Sequence, residues 1–99
     1  MALGDRLPAQ AGLTVGLMWY VYILKSSITR WYYVGSTNRL DQRIKEHNTG
    51  KVLSTKFYKP LQLIFKKEFD LENEARSYER LLKDKRIEKE KIIRLFESK

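Results

Sequence analysis

The sequence predicts a domain of the α/β (α+β) class, a three-stranded antiparallel sheet flanked by helices in the order β-β-α-β-α-α. Three observations predict it. Two runs rich in aromatic and β-branched residues, 19–24 and 31–35, stand on either side of a short polar connector. A third such run follows Pro60. The segments between and after these runs repeat apolar residues at three- and four-residue intervals, the period of a helix.

Each element follows in order. Trp19, Tyr20, Val21, Tyr22, Ile23 and Leu24 make a buried first strand, and residues 26–30 a polar connector of hairpin length. A turn centred between Ser27 and Ile28 places Tyr22 opposite Tyr33, with both side chains on one face. A one-residue slip would separate them. Asn38 and Asp41 signal a helix start and residues 48–50 its stop. The inward positions of that helix are Leu40, Arg43, Ile44 and His47, so half of a face that should be apolar is basic. Residues 51–59 form a polar loop containing Lys51, Lys56 and Lys59, and residues 61–69 the third strand. Asp70 is the expected N-cap of a helix running to Lys83, whose inner stripe includes Leu71, Ala75, Tyr78, Glu79 and Leu82. Residues 86–99 make a last, shorter amphipathic helix with Ile92, Ile93, Leu95 and Phe96.

The chain of 99 residues suffices for one core. Residues 1–17 lack periodicity and are expected to form a flexible tail, with 18–99 as the folded domain and Met18 a candidate start. The tail has neither the basic start nor the apolar run of a signal peptide. No stretch approaches the roughly 18–20 apolar residues of a membrane helix, so a cytoplasmic protein with no membrane partner is expected. Twenty basic residues against 12 acidic ones give a net charge of +8. That field suits a polyanion such as nucleic acid, although a basic surface can also serve solubility alone. With no cysteine and one histidine, thiolate and multi-histidine metal sites are excluded. A metal would rest on carboxylates and water, as Mg2+ or Mn2+ does.

Arg43, His47 and Glu79 sit on helix faces that should be buried, and unpaired buried charge is costly. Two explanations stand. One is a structural Arg–Glu ion pair beside a satisfied histidine. The other is a phosphate site, in which a guanidinium grips two phosphate oxygens, a carboxylate holds a hydrated metal, and a tyrosine or histidine moves a proton.

Tyr20, Val21 and Tyr22, followed by Tyr33, Val34 and Gly35, resemble the paired signature of the GIY-YIG family. So do Ser36, Thr37, Leu40, Arg43, His47, Asn48, Gly50, residues 54–56, Lys59, Pro60, Glu74, Ala75, Glu79 and Lys83. The resemblance covers residues 19 to 85 and is closest to short, stand-alone bacterial members related to the excision-repair nuclease domain. It implies the GIY-YIG fold and a metal-dependent endonuclease that hydrolyses phosphodiester bonds in DNA, in repair or recombination. By position it implies Tyr22 and Tyr33 as signature tyrosines, Arg43 as phosphate ligand, and Glu79 as the protein's metal ligand. His47 falls where relatives place histidine or tyrosine. Water would attack in line at phosphorus with Tyr33 or Tyr22 assisting its deprotonation, which requires positive charge to lower a phenol pKa ordinarily near 10. Arg43 and the metal are the expected sources.

Three positions depart from the pattern. Tyr20 replaces the first glycine, Ser36 stands where excision-repair relatives carry lysine, and no asparagine follows Glu79. These departures support an alternative, a nucleic-acid-binding module with weak or no turnover. Lys25, Arg39, Lys51, Lys56 and Lys59 are the expected nucleic-acid contacts, with DNA favoured over RNA. Trp19 and Trp31 are expected in the core rather than stacked on bases, and Phe57 is a stacking candidate. A protein partner is expected to supply any sequence specificity.

Overall fold

The computed structural model describes residues 17–98, so the expected tail lies outside the described residues apart from Leu17. The observed order is β1 (Trp19–Ser26), β2 (Tyr32–Thr37), α1 (Leu40–Asn48), β3 (Leu61–Phe69), α2 (Glu72–Asp84) and α3 (Arg86–Glu97). This is the predicted β-β-α-β-α-α sequence. The sheet is antiparallel in the order β2-β1-β3, which leaves β2 as an edge strand.

Alternation along β1 divides the core into two layers. Val21 and Ile23 pack with Val34, Ala75 and Leu82 on the face covered by α2. Tyr22 and Leu24 pack with Leu40 and Leu61 on the opposite face, covered by α1. Central β1 is buried on both sides, which explains its unbroken apolar run. In β3 the register shifts, with Ile23 opposite Phe65 and Leu24 opposite Leu63, so Ile64 is an extra residue.

The hairpin register differs from expectation by two residues. Tyr22 pairs with Gly35, and Tyr33 with Leu24. The loop is longer than a two-residue turn: Ser26 N–H donates to the Trp31 carbonyl at 2.9 Å, moving the turn's centre past Ile28. An even shift preserves side-chain parity, so Tyr22 and Tyr33 still share a face, as a one-residue slip would not have allowed.

The helix starts also differ. The Thr37 hydroxyl accepts the Arg39 N–H at 3.0 Å just ahead of α1. Leu71, rather than Asp70, occupies the N-cap position of α2 and makes no side-chain cap. Leu95 is exposed and takes no part in the core face of α3, which seats Ile93. The end of α1 matches its signal, because Gly50 adopts φ +81°, a left-handed conformation that glycine enters without steric cost. Asn48 then clamps the start of β3, accepting from Leu61 N–H at 2.6 Å and donating to its carbonyl at 3.0 Å.

Leu82 is 1% exposed and ties α2 to the sheet. Leu82→Ala is expected to destabilise the fold by about 2–5 kcal/mol. Urea unfolding with an unchanged slope measures it; a midpoint equal to wild type would mean that α2 is not anchored there.

Candidate active site

Because α1 and α2 cover opposite faces of the sheet, residues from the two helices can meet only around an edge. They meet at β2. An open cleft of about 350 Å3 there is lined by Tyr22, Tyr33, Arg39, Arg43, Arg76 and Glu79, with Trp19, Gly35, Ser36 and Thr37 completing its wall. Four of the five predicted catalytic residues therefore share one space. A larger groove of about 700 Å3, lined by Arg30, Tyr32, Lys89 and Arg94 among others, contains none of them.

Gly35 makes the crossing possible. It lies opposite Tyr22, and a Cβ built on it would sit 2.6 Å from the Tyr22 hydroxyl and 3.0 Å from the Tyr33 ring. The missing side chain is the channel by which the Tyr22 phenol reaches the cleft. The next residue, Ser36, faces the other side of the sheet, toward α2. Its hydroxyl donates to Glu79 Oε1 at 2.5 Å. Lys83, one helical turn after Glu79, holds Oε2 at 2.7 Å.

His47 lies behind the cleft and not in it. Its side chain is fully buried, with Nε2 2.9 Å from the Tyr22 hydroxyl and Nδ1 2.8 Å from the Thr55 hydroxyl. A neutral imidazole donates at one nitrogen and accepts at the other, so Thr55, His47 and Tyr22 form one directed hydrogen-bond chain. Burial, reinforced by the nearby Arg43 charge, pushes the His47 pKa down to about 4, so it is neutral at physiological pH.

Arg43 stands beside the Tyr22 hydroxyl, but its ion pair is with Glu46 Oε1 at 2.9 Å and not with Glu79. The hydrogen bond to Glu46 is the main influence holding the guanidinium charged. The expected lowering of a tyrosine pKa by Arg43 does not prevail at Tyr22. Burial and neighbouring Tyr33 outweigh the guanidinium and push the phenol up to about 12, so Tyr22 keeps its proton at neutral pH.

The five expected nucleic-acid contacts are not gathered together. Arg39 lines the cleft. Lys51, Lys56 and Lys59 stand exposed on the loop between α1 and β3. Lys25 lies toward Glu97 of α3, on the other face, and donates to the Ser26 carbonyl at 3.1 Å. Four residues were missed. Arg76 precedes Glu79 by three positions and thus shares its helix face, a signal the sequence did carry. Ser36 follows from the alternation of β2. Trp19 lines the cleft, with the Arg76 guanidinium 5.1 Å above its ring, instead of lying fully in the core. Thr55 sits in a loop without periodicity, and nothing in the sequence marked it.

The donor set fits one kind of cation. Among the described residues there is no cluster of three or more His, Asp or Glu side chains that could cage an ion. A single carboxylate beside a hydroxyl suits a hydrated hard cation that keeps most of its water, such as magnesium or manganese. Lys83 is half-exposed, so its ammonium can turn to solvent and leave the carboxylate to an ion.

Sheet, edge cleft and paired helices define a small α+β protein with an edge cleft rich in arginine. The GIY-YIG catalytic domain model matches residues 18–91, and the chain belongs to the GIY-YIG family, a nuclease family that acts on nucleic acid. Its bacterial relatives include the UPF0213 protein YazA of Bacillus subtilis, 40% identical over 57 residues, which are 57% of each chain. UPF0213 protein CPE1444 of Clostridium perfringens is 36% identical over 81% of this chain and 84% of its own. The solution NMR structure of UPF0213 protein BH0048 from Bacillus halodurans is similar at a TM-score of 0.50, with 34% identity, covering 79% of this chain and 84% of that one.

Two outcomes are expected. Gly35→Ala should displace the Tyr22 ring while the fold persists, visible as NMR shifts at Tyr22 and His47; unchanged shifts would mean that the strand yields instead. Between pH 6.5 and about 4 an unfolded chain binds the His47 proton and the folded chain does not, so stability should fall on acidification. His47→Gln should remove that part of the slope in urea midpoints measured against pH, and a parallel profile for the variant would assign the slope elsewhere.

Proposed function

We propose that this protein is a metal-dependent endonuclease that hydrolyses phosphodiester bonds in DNA, with a place in repair or recombination. One observation carries the reading: Tyr22, Tyr33, Arg43 and Glu79 leave opposite sheet faces and two helices, yet line one cleft. Side chains placed for packing alone have no reason to converge around a glycine on a sheet edge.

The chain's own groups divide the work. Arg43, with Arg39 on the same side of the cleft and Arg76 from the α2 side, binds the scissile phosphate, exchanging water for charge-assisted hydrogen bonds. Tyr22, protonated at neutral pH and fixed from behind by His47, donates to or positions a phosphate oxygen. Tyr33 orients the attacking water and assists its deprotonation. Glu79, oriented by Ser36, would hold Mg2+ or Mn2+ once Lys83 moves aside. When bound there, such an ion would supply Lewis-acid stabilisation of developing negative charge.

A second reading, a binding module with weak turnover, is favoured by a specific feature: both Glu79 oxygens already have partners, Ser36 and Lys83. A nicking assay on supercoiled, branched and single-stranded DNA with magnesium or manganese separates the two. Wild type is expected to cut. Glu79→Ala should lose cutting by at least about a hundredfold, while DNA binding and melting temperature stay near wild type. Equal cutting by both proteins would remove Glu79 from the mechanism, and DNA binding without cutting by the wild type would leave the module reading.

A further inference from the structure

The loop of residues 51–59 combines features that packing does not explain. Its inner side is firmly held. Val52 and Thr55 are buried, the Ser26 hydroxyl donates to the Tyr58 carbonyl at 2.7 Å, and Tyr58 stacks on Trp31 with centroids 3.8 Å apart. Its outer side presents Leu53 and Phe57, 79% and 75% exposed, four positions apart. Two large apolar groups so displayed on a pinned loop lose free energy to water unless something covers them.

Charge indicates the occupant. From Lys51 through Lys67 the sequence contains five lysines and no acidic residue. Lys51, Lys56 and Lys59 are exposed around the apolar tip, and the Lys56 ammonium lies 5.4 Å from the centre of the Phe57 ring. An apolar tip ringed by cations complements a base face flanked by phosphates. In a fully paired duplex the base faces are covered by stacking, so the apolar pair gains contact only where a base is unpaired or unstacked.

The loop is also joined to the cleft from behind. Thr55 holds His47, which holds the Tyr22 hydroxyl. Tyr58 stacks on Trp31, which stacks in turn on Tyr33 at 6.3 Å. Each cleft tyrosine is thus linked to a residue of this loop through one intervening side chain.

We propose that residues 51–59 form a DNA-docking wedge, in which Leu53 and Phe57 engage an unpaired base while Lys51, Lys56 and Lys59 hold the adjoining phosphates. The substrate class is then DNA interrupted by an unpaired or frayed nucleotide. This inference rests on the nuclease reading for the direction in which the cleft lies, but its test requires no cutting.

The full chain is titrated, in EDTA, into a duplex with one bulged 2-aminopurine and into its fully paired counterpart. Wild type should quench the fluorescent base and bind the bulged duplex about tenfold more tightly. Leu53→Ser with Phe57→Ala should erase that difference, leave affinity for the paired duplex within about twofold, and keep the melting temperature, because both side chains are exposed. Lys56→Gln with Lys59→Gln should weaken both duplexes alike and flatten the salt dependence. Equal wild-type affinity for the two duplexes overturns the wedge, as does unaltered discrimination in the apolar double variant. Phe57-dependent binding to phosphatidylserine vesicles without discrimination between duplexes also overturns it, in favour of a lipid surface. A Glu79→Ala protein that fails to cut yet still discriminates would support the wedge, so a failure of catalysis and a failure of this inference give different results.

Discussion

The site depends on a geometric constraint: a three-stranded sheet keeps its two covering helices apart, and only an edge strand lets their side chains meet. Arg43 comes from one face and Glu79 from the other, and β2 stands between them as the edge. Gly35 is where the barrier is thinnest. With no Cβ there, the Tyr22 ring lies against the strand backbone and its hydroxyl reaches the cleft at the sheet edge, where groups from the other layer also arrive. Had β2 been central, a second neighbouring strand would have filled the space that the cleft occupies.

Burial then decides the protonation states. Tyr22 and His47 share a hydrogen bond within a low-dielectric layer, where a charged form is penalised for either group. The phenol keeps its proton and the imidazole stays uncharged, in spite of a guanidinium close by. The pair therefore behaves as a fixed neutral support for the cleft wall. The less buried Tyr33 is the phenol left to interact with water.

Every charge in the cleft whose partner is visible has it nearby in sequence. Arg43 is paired with Glu46, Arg76 with Glu72, and Glu79 with Lys83, each within one turn of its own helix. Such pairs hold side chains in place without neutralising one another across the gap, so the arginines and the lone carboxylate remain available to a phosphate and a cation.

The order of elements, the shared face of Tyr22 and Tyr33, and the basic inward stripe of α1 were legible in the sequence, because they follow from periods of two and 3.6 that local chemistry imposes. Periodicity also marked Glu79 on the inner stripe of α2, and the motif resemblance added the metal-ligand role expected of it. The hairpin register was misjudged by two residues because loop length, not strand composition, sets it. His47 was read as a cleft residue because helical spacing gives the inward face but not the depth at which a side chain stops. Arg43 found Glu46 instead of Glu79 for a related reason: the sheet stands between the two helices. Thr55 and the stacked Tyr58 became visible only in three dimensions, since a loop's contacts arise from where the chain returns and not from any period along it. The sequence by itself determined which residue types lie on which faces. Tertiary structure alone decided that two opposite faces open onto one cleft, because the absence of a single Cβ at Gly35 has meaning only once Tyr22 is found across from it.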